Sequence, residues 1–200
     1  SNFLFEVDNK RVRLAATDLE IGVKCYIDGK ITSTGNIAIP AKKFGSIIKE
    51  LTDKNDIEIK IDNKSGQIEI LSGRSKFNLI GAAKEDFPAL PEFNETKSIG
   101  FETGKFKEMV KRVRFGVSGE ETRYQLTGIY FVIESGKFRL VATDGKRLAC
   151  VTKDCPTESF SAKAIVSTKA INELLKVISV YPEEEQFKIS ITENQIGFKV

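Results

Sequence analysis

Apolar positions recur with two different periods along this chain. Short runs alternate apolar and polar residues, as in 57–61 (Ile-Glu-Ile-Lys-Ile) and 187–191 (Phe-Lys-Ile-Ser-Ile), which predicts strands with one buried and one exposed face. Three stretches instead place apolar residues at i, i+3, i+4 and i+7, which predicts amphipathic helices with one buried face. The three stripes are Phe44, Ile47, Ile48 and Leu51; Phe106, Met109, Val110 and Val113; and Ile171, Leu174, Leu175 and Ile178. The pattern therefore predicts an α+β protein rich in strands.

The order of these elements is the same in the two halves of the chain. When Thr17-Asp18 is aligned with Thr143-Asp144, the match continues towards the N-terminus without a gap and towards the C-terminus with a slip of one residue. Matched positions include Phe5 with Phe131, Arg13 with Arg139, Leu14 with Leu140, Ile39 with Val166, and 44–51 with 171–178. Pro40 suits the first turn of the first helix, and Ser167 is expected to cap the later one. We therefore expect two copies of one unit built from a β-sheet and helices.

The two copies are expected to begin and end at different points of the repeated unit. The first continues into 72–80, which predicts a further strand with no counterpart before Val200. The second is preceded by a helix at 105–113 that has no counterpart in the first. If the repeat is real, one strand and one helix, on the order of 30 residues, precede residue 1 in the intact protein.

The boundary between the copies is predicted to lie within 84–97. This segment has no hydrophobic period and contains Pro88 and Pro91, which is typical of an interdomain connection. We therefore expect one domain over 1–90 and a second over 91–200.

Each copy contains a Thr-Asp pair between two predicted strands. In the second copy the pair continues as Asp144-Gly145, which predicts a tight hairpin turn whose central residues take positive φ. In the first copy Leu19-Glu20 follows instead. We expect the hairpin to persist there without the glycine and the basic residues of the second copy.

Charge and composition narrow the possible functions. The chain has 31 basic and 28 acidic residues, which excludes binding to nucleic acid by charge alone but allows a local basic face. Histidine is absent, which removes the usual general base and the commonest transition-metal ligand. The three cysteines form no Cys-x-x-Cys pair, and no apolar stretch approaches the ~20 residues that span a bilayer. The sequence thus indicates a soluble, cytoplasmic protein with no metal and no cofactor.

Two other kinds of function remain open on the residues alone. Asp53 with Asp56, or Glu120 with Glu121, would suit a metal-dependent nuclease or phosphotransferase. Each pair lies in a polar turn or loop, however, whereas metal catalysis needs carboxylates held on rigid elements. A generic β-rich adaptor domain is the other alternative.

Several motifs agree in order and spacing with a known family. The segments 141–148 (Val-Ala-Thr-Asp-Gly-Lys-Arg-Leu), 122–128 (Thr-Arg-Tyr-Gln-Leu-Thr-Gly) and 72–77 (Ser-Gly-Arg-Ser-Lys-Phe), with the repeated unit, resemble the bacterial sliding clamp, the β subunit of DNA polymerase III. The resemblance implies a DNA-clamp fold in which two copies of a sheet-plus-helices domain form an arc, with the sheets outside and the helices on the inner concave face. It also implies a fragment that lacks the third domain of the family.

The resemblance implies a non-catalytic processivity factor. Such a clamp encircles double-stranded DNA without sequence preference and closes as a homodimer. Short linear peptides would tether it to the DNA polymerase III catalytic subunit, the clamp loader and repair proteins, with no role for a membrane.

Three sets of site residues follow from the resemblance. The residues facing DNA would be Lys42, Lys43, Lys105, Lys111, Arg112, Arg123, Tyr124 and Lys169. The pocket for a partner peptide would be lined by Leu126, Thr143, Gly145, Lys146, Arg147 and Leu148. The strand that pairs with a neighbouring subunit would present Arg74, Lys76, Phe77 and Leu79. On the residues alone, the basic helix residues would form an ordinary solvated helix face, and the loop residues would form a structural hairpin. The third set would belong to an edge strand protected against aggregation.

Overall fold

The computed structural model describes residues 2–51, 56–119, 126–155 and 161–200. They form two compact units, Ser1–Pro91 and Glu92–Val200. Each unit combines two antiparallel sheets with helical segments, as predicted for an α+β protein.

In the described part of the first unit, seven strands form two sheets beside one helix. The strands are β1 (Asn2–Val7), β2 (Val12–Thr17), β3 (Gly22–Ile27), β4 (Gly35–Pro40), β5 (Glu58–Asp62), β6 (Gln67–Ser72) and β7 (Ser75–Ile80). The sheet orders are β3-β2-β1-β4 and β5-β6-β7. The helix α1 (Ala41–Glu50) follows β4 directly.

The described part of the second unit has the same plan with one more helix. Its strands are β8 (Ser98–Glu102), β9 (Gly128–Glu134), β10 (Lys137–Thr143), β11 (Leu148–Asp154), β12 (Ala162–Ser167), β13 (Gln186–Ile191) and β14 (Ile196–Lys199). The sheet orders are β11-β10-β9-β12 and β14-β13-β8. The helices are α2 (Thr103–Val113) and α3 (Thr168–Ile178).

The strand registers confirm the internal repeat. Phe5 pairs with Leu14 in the first unit, and Phe131 pairs with Leu140 in the second, as the gapless alignment predicted. Across the other edge of the central strand, Phe3 pairs with Ile39, and Ile129 pairs with Val166. In these pairs the partner from β12 lies one position further along the chain than the alignment of β1 with β9 would give. This shift accounts for the one-residue slip in the alignment.

The helices begin close to the predicted positions but differ in burial. Ser167 caps α3 as predicted, since its hydroxyl accepts a hydrogen bond from the Ala170 N–H at 3.2 Å. Pro40 lies at the N-cap of α1 and ends β4, one residue before the first turn. The apolar stripe of α1 is only half-buried, unlike that of α2. The physical reason is that α2 and α3 contribute to one shared core, whereas α1 packs without a neighbouring helix in the described residues.

A cluster of phenylalanines joins the two sheets of the second unit. Phe106 of α2 is fully buried, and its ring centroid lies 6.0 Å from Phe131, 6.4 Å from Phe138 and 5.2 Å from Phe187. Phe131 and Phe138 belong to one sheet and Phe187 to the other. Aromatic pairs at these separations add to the free energy gained by burial. The helix therefore contacts both sheets, which also meet directly where Phe101 packs on Phe138.

Residues 84–91 of the predicted aperiodic connection belong to the first unit. Its residues Lys84–Asp86 form a 3-10 turn, and Lys84 Nζ lies 2.7 Å from Glu6 Oε1. The side chain of Leu90 lies directly over Gly22, and Lys24 Nζ donates to the Pro91 carbonyl at 3.1 Å. The boundary between the two units falls after Pro91, inside the segment 84–97, and residues 84–91 pack against the first unit.

The carboxylate of Glu6 holds this segment against the sheet. It accepts a hydrogen bond from Arg13 Nε at 2.7 Å on the neighbouring strand and pairs with Lys84. Burial alone would raise the pKa of Glu6, but the hydrogen bonds from Lys84 and Arg13 outweigh it and keep that pKa below its usual value. The carboxylate therefore remains ionised between its two cationic partners.

The first residues of the second unit are anchored in a similar way. The ring of Phe93 packs against Gly197, and Glu95 pairs with Lys188 at 2.7 Å and also with Lys199. Lys188 and Lys199 are direct cross-strand partners, an arrangement that is unfavourable for like charges. The Glu95 carboxylate offsets this repulsion, so 92–97 is also fixed to its own unit.

Replacing Phe106 with alanine tests the role assigned to the phenylalanine cluster. We expect Phe106→Ala to lower the free energy of unfolding of the second unit by about 3–5 kcal/mol, because it removes a fully buried ring and leaves a cavity. Urea denaturation followed by circular dichroism measures the change. Phe115→Ala is the matched control, since that ring is 60% exposed. Equal losses in the two variants would contradict this account of the core.

Candidate functional site

Five of the six predicted pocket residues, all except Leu126, lie in or beside the loop that joins β10 to β11. Thr143 pairs with Leu148, so the loop has the four residues Asp144 to Arg147. The predicted turn with two central residues at positive φ is wrong in this respect, because Gly145 has φ of 87° while Asp144 does not have positive φ. The Asp144 carboxylate accounts for the wider loop: its Oδ1 accepts from the N–H groups of Lys146 at 2.9 Å and Arg147 at 3.0 Å.

Thr143 completes the hydrogen bonding of the loop. Its Oγ1 accepts from the Gly145 N–H at 3.1 Å and donates to the Arg147 carbonyl at 2.7 Å. These bonds satisfy backbone groups that a loop would otherwise expose to water. The loop is therefore held by its own side chains, and its outer positions project from a fixed backbone.

Arg147 is oriented by Asp144. Arg147 Nε donates to Asp144 Oδ2 at 2.9 Å. Hydrogen bonds from the N–H groups of Lys146 and Arg147, together with the Arg147 guanidinium, lower the pKa of Asp144 to about 2. Asp144 is thus ionised at neutral pH, and its charge is balanced within the loop. The Nη groups of Arg147 make no hydrogen bond with the residues that the structure describes, and they are available to an incoming acceptor.

An exposed aromatic ring lies beside this arginine, and its neighbour along the chain is an exposed leucine. Leu148 is 66% exposed, and Phe115, in the 3-10 turn Arg114–Gly116, is 60% exposed. The guanidinium carbon of Arg147 lies 5.6 Å from the centroid of the Phe115 ring. Leu126 is half-buried, and its carbonyl accepts from the Ser118 N–H at 2.9 Å. The surface therefore combines apolar side chains with a cation of fixed orientation.

Sequence reasoning missed Phe115. It lies two residues beyond Val113, the last position of the helix stripe, so it falls outside the buried face and outside every motif used above. The sequence does show an aromatic residue just after the end of the predicted helix, at a position that does not continue its apolar stripe. Only the fold shows that this ring lies beside Arg147.

The corresponding loop of the first unit has the same backbone and different chemistry. Asp18 Oδ1 accepts from the N–H groups of Glu20 and Ile21 at 3.1 and 2.8 Å. Leu19, with φ of 75°, occupies the place that Gly145 has in the second unit. The prediction that the hairpin persists without the glycine and the basic residues is confirmed.

The helices expose the basic residues that were predicted to face DNA. Lys42 and Lys43 are exposed on α1, as are Lys105, Lys111 and Arg112 on α2 and Lys169 on α3. Lys105 pairs with Glu102 at 2.7 Å, and Arg112 pairs with Glu108 at 2.6 Å. The positive charge of α2 is therefore partly neutralised by its own carboxylates. Arg123 and Tyr124 lie outside the described residues.

A shallow groove lies beside α3. It has a volume of about 700 Å³, and its lining includes Arg114, Lys169, Asn172, Glu173 and Lys176. Three of these five side chains are basic and one is acidic, so the groove favours an anion weakly. Arg114 was not among the predicted residues, because it follows the end of the α2 stripe.

The predicted subunit-interface residues do not share one face. Arg74 lies in the turn before β7, and Lys76 is exposed and pairs with Glu69 at 2.5 Å. Phe77 is half-buried, and Leu79 is buried in the core of the first unit. The sheet order places β7 at an edge, so its backbone groups, rather than the side chain of Leu79, are what a neighbouring strand would meet.

The remaining alternatives gain no support from the site. Across residues 2–51, 56–119, 126–155 and 161–200, no group of three or more His, Cys, Asp or Glu side chains is placed to hold a metal ion. Asp53, Glu120 and Glu121 lie outside the described residues, and Asp56 is exposed. No helix among the described residues is long and apolar enough to cross a membrane.

The repeated unit defines the class of this protein as a DNA-clamp fold. Residues 1–91 match the model of the DNA polymerase III beta subunit, N-terminal domain, and residues 101–200 match that of the DNA polymerase III beta subunit, central domain. The chain belongs to the family of DNA polymerase III beta subunits.

Individual relatives agree with this assignment. The beta sliding clamp of Chlamydia pneumoniae is 35% identical over 199 residues, which cover 98% of this chain and 53% of the relative. The crystal structure of the DNA polymerase sliding clamp from Bacillus subtilis superimposes with a TM-score of 0.91 at 29% identity, covering 100% of this chain and 54% of that one. The crystal structure of the DNA polymerase III subunit beta from Pseudomonas aeruginosa superimposes with a TM-score of 0.90 at 27% identity. That match covers 100% of this chain and 55% of the other. The chain spans about half the length of the curated relatives it matches.

The titration of Asp144 tests the loop. We expect its carboxyl to titrate near pH 2 rather than at its ordinary value of 3.8, as measured by carboxyl-carbon NMR shifts. Because the pKa of Asp144 is lower in the folded state than in the unfolded state, its stabilising effect on the loop is fully present above pH 3.8. The stabilisation is lost as the pH falls towards 2. The variant Arg147→Ala keeps the hydrogen bonds that the backbone N–H groups at positions 146 and 147 donate to Asp144. We therefore expect the titration midpoint of Asp144 in this variant to stay below 3.8. A midpoint at 3.8 in the wild-type chain would contradict the hydrogen bonding described here.

Proposed function

We propose that this chain is part of a sliding clamp that encircles double-stranded DNA and holds a DNA polymerase on its template without catalysing a reaction. The observation that carries the proposal is the repeated clamp unit, whose helices expose basic residues in both copies. In the intact protein, the helices of each unit face the DNA. Enclosure retains the protein, so no catalytic residue is needed.

The charge on the helices suits movement along DNA. Lys42, Lys43 and Lys111 form no ion pair with the described residues, whereas Lys105 and Arg112 are paired with carboxylates of their own helix region. Strong phosphate contacts would raise the barrier to each step, and each contact makes binding more dependent on salt. A modest basic surface supplies weak, exchangeable contacts to the backbone and none that read sequence.

The loop between β10 and β11 is the proposed docking site for partners. Gly145 lets a peptide backbone approach closely, Leu126 and Leu148 offer apolar contacts, and Arg147 can donate to a backbone carbonyl or a carboxylate. The partners are the DNA polymerase III catalytic subunit, the clamp loader and repair proteins, each docking through a short linear peptide. The protein acts in the cytoplasm as a homodimer, and the exposed edge of β7 pairs with a neighbouring subunit.

Retention on circular DNA tests enclosure. We expect the protein, at the full length of its relatives and loaded by the clamp loader, to remain on closed circular DNA and to leave when the circle is cut to a linear form. The physical reason is that a ring slides off a free end. Gel filtration of labelled protein with the DNA measures retention, and a nicked circle, which has no free end for a ring, is the control. Equal retention on circular and linear DNA would contradict the proposal.

Alanine substitutions test the docking site. In the protein at the full length of its relatives, we expect Arg147→Ala and Leu148→Ala each to weaken the binding of a peptide from the replicative polymerase by more than ~1 kcal/mol, because buried arginine and apolar anchors dominate such interfaces. Isothermal titration calorimetry measures the affinity. Leu19→Ala, in the corresponding loop of the first unit, is the matched control and should bind as the wild type does. Unchanged affinity in both variants would remove these residues from the site.

A further inference from the structure

In the first unit, a segment of the chain crosses the outward face of the four-stranded sheet, the face turned away from the hydrophobic core. After β7, Ala82 pairs with Ala38 of the edge strand β4 through two backbone hydrogen bonds of 2.8 and 2.9 Å. Further along, the side chain of Leu90 lies over Gly22 of β3, the strand at the opposite edge. Residues 82–91, here called the covering segment, therefore reach from one edge of the sheet to the other.

The covering segment accounts for a buried row of side chains on that face. Lys24, Ala15, Leu4 and Ala38 are neighbours across the sheet, one on each strand. The three apolar members are only 4%, 6% and 2% exposed. Successive side chains of a strand point to opposite faces, so this row lies opposite Phe5, which belongs to the core. Its burial therefore comes from the covering segment and not from the core.

The corresponding row of the second unit is open to solvent. It consists of Cys150, Val141, Tyr130 and Ile165, which are neighbours across β11, β10, β9 and β12. Tyr130 is 38% exposed and Ile165 is 50% exposed, and Cys150 is also exposed. The same face of the repeated unit is thus covered in the first copy and uncovered in the second, among the residues that the structure describes.

The edge strand next to this row can accept another strand. In the described part of the chain, β12 has β9 as its only strand partner. Ile165 pairs with Tyr130 in the register in which Ala38 pairs with Leu4. The backbone N–H and carbonyl of Ile165 therefore point away from β9, as those of Ala38 point towards the covering segment. An extended chain could make the same two hydrogen bonds here.

The charges on the two faces differ in sign. In the first unit, Lys84 of the covering segment lies 2.7 Å from Glu6, which also binds Arg13. In the second unit, Val132 takes the place of Glu6 and Arg139 takes that of Arg13. Arg139 is exposed and forms no ion pair with the described residues. Charge complementarity therefore favours a segment with an acidic residue where the covering segment has its lysine.

The internal repeat indicates what covers this face. In the first unit the occupant is the chain itself, immediately after the three-stranded sheet, and not a separate molecule. Repeated units bury equivalent surfaces in equivalent ways. This chain spans about half the length of its relatives, so the intact protein has residues that can take the same path across the second unit.

We propose that the outward face of the sheet β11-β10-β9-β12 is an intramolecular docking surface for an extended segment of the intact protein. That segment pairs with the backbone of Ile165, packs apolar side chains on Tyr130 and Val141, and places an acidic residue against Arg139. It fastens the continuing chain to the second unit, as residues 84–91 are fastened to the first.

Amide hydrogen exchange tests this docking. The 200-residue chain is compared with the protein at the full length of its relatives, by mass spectrometry with fragmentation to single residues. We expect the Ile165 N–H to exchange about tenfold more slowly, or slower still, at full length, because it gains a hydrogen bond there. The Ala38 N–H, already bonded to Ala82 at 2.9 Å, is the internal control and should be protected in both. Equal exchange at Ile165 in the two proteins would overturn the proposal.

Charge reversal at Arg139 tests the acidic contact. At full length, we expect Arg139→Glu to speed the exchange of Ile165 towards its rate in the 200-residue chain, and Arg139→Gln to have a smaller effect in the same direction. Lys111→Glu, at an exposed position of α2, makes a matched charge change away from the sheet and should leave the exchange unchanged. Thermal unfolding checks that each variant is folded. Wild-type protection in both Arg139 variants would refute the acidic contact.

The concentration dependence of exchange distinguishes the occupants. An intramolecular segment is absent from the 200-residue chain, so its Ile165 N–H should exchange at the same rate at every protein concentration. If that N–H becomes protected as the concentration rises, a second copy covers the face and the intramolecular occupant is refuted. Analytical ultracentrifugation at the same concentrations measures the association.

Discussion

The second unit depends on a cluster of phenylalanines contributed by both of its sheets and by α2. Phe106 contacts Phe131 and Phe138 on one side and Phe187 on the other, and it is fully buried. A sheet with one apolar face must cover that face, and here α2 contacts both sheets while α3 contributes to the same core. The position of α2 then fixes the 3-10 turn that follows it, and this turn places Phe115 beside the loop. The core thus determines where the surface chemistry lies.

The loop itself is defined by a threonine and an aspartate rather than by a glycine. Both units place Asp Oδ1 on two successive loop N–H groups, although one loop has Gly145 and the other has Leu19 at the residue with positive φ. A left-handed conformation costs an ordinary residue roughly 1–2 kcal/mol. The side-chain hydrogen bonds hold Leu19 in it nonetheless. The backbone can therefore be kept while the outer side chains change.

Much of the fold could be predicted from the sequence because its signals are local. The three apolar stripes located α1, α2 and α3, and the self-similarity predicted which positions correspond in the two four-stranded sheets. The contacts that hold residues 84–91 on the first unit, such as the pair between Glu6 and Lys84, were not predicted because they join residues far apart in sequence. The contact between Phe115 and Arg147 was missed for the same reason. Periodicity describes which face of an element is buried, and it says little about what an aperiodic segment packs against.

The position of β8 at the edge of its sheet has a consequence for synthesis on the ribosome. Its only strand partner in the described residues is β13, which begins at Gln186, near the end of the chain, whereas β8 ends at Glu102. Ile99 and Phe101, both buried in the finished unit, must therefore leave the ribosome long before their partner strand exists. Such delayed, non-local pairing is slow and leaves an apolar edge open to wrong partners. During synthesis of the second unit, β8 therefore stays without this partner until residues 186–191 have been added.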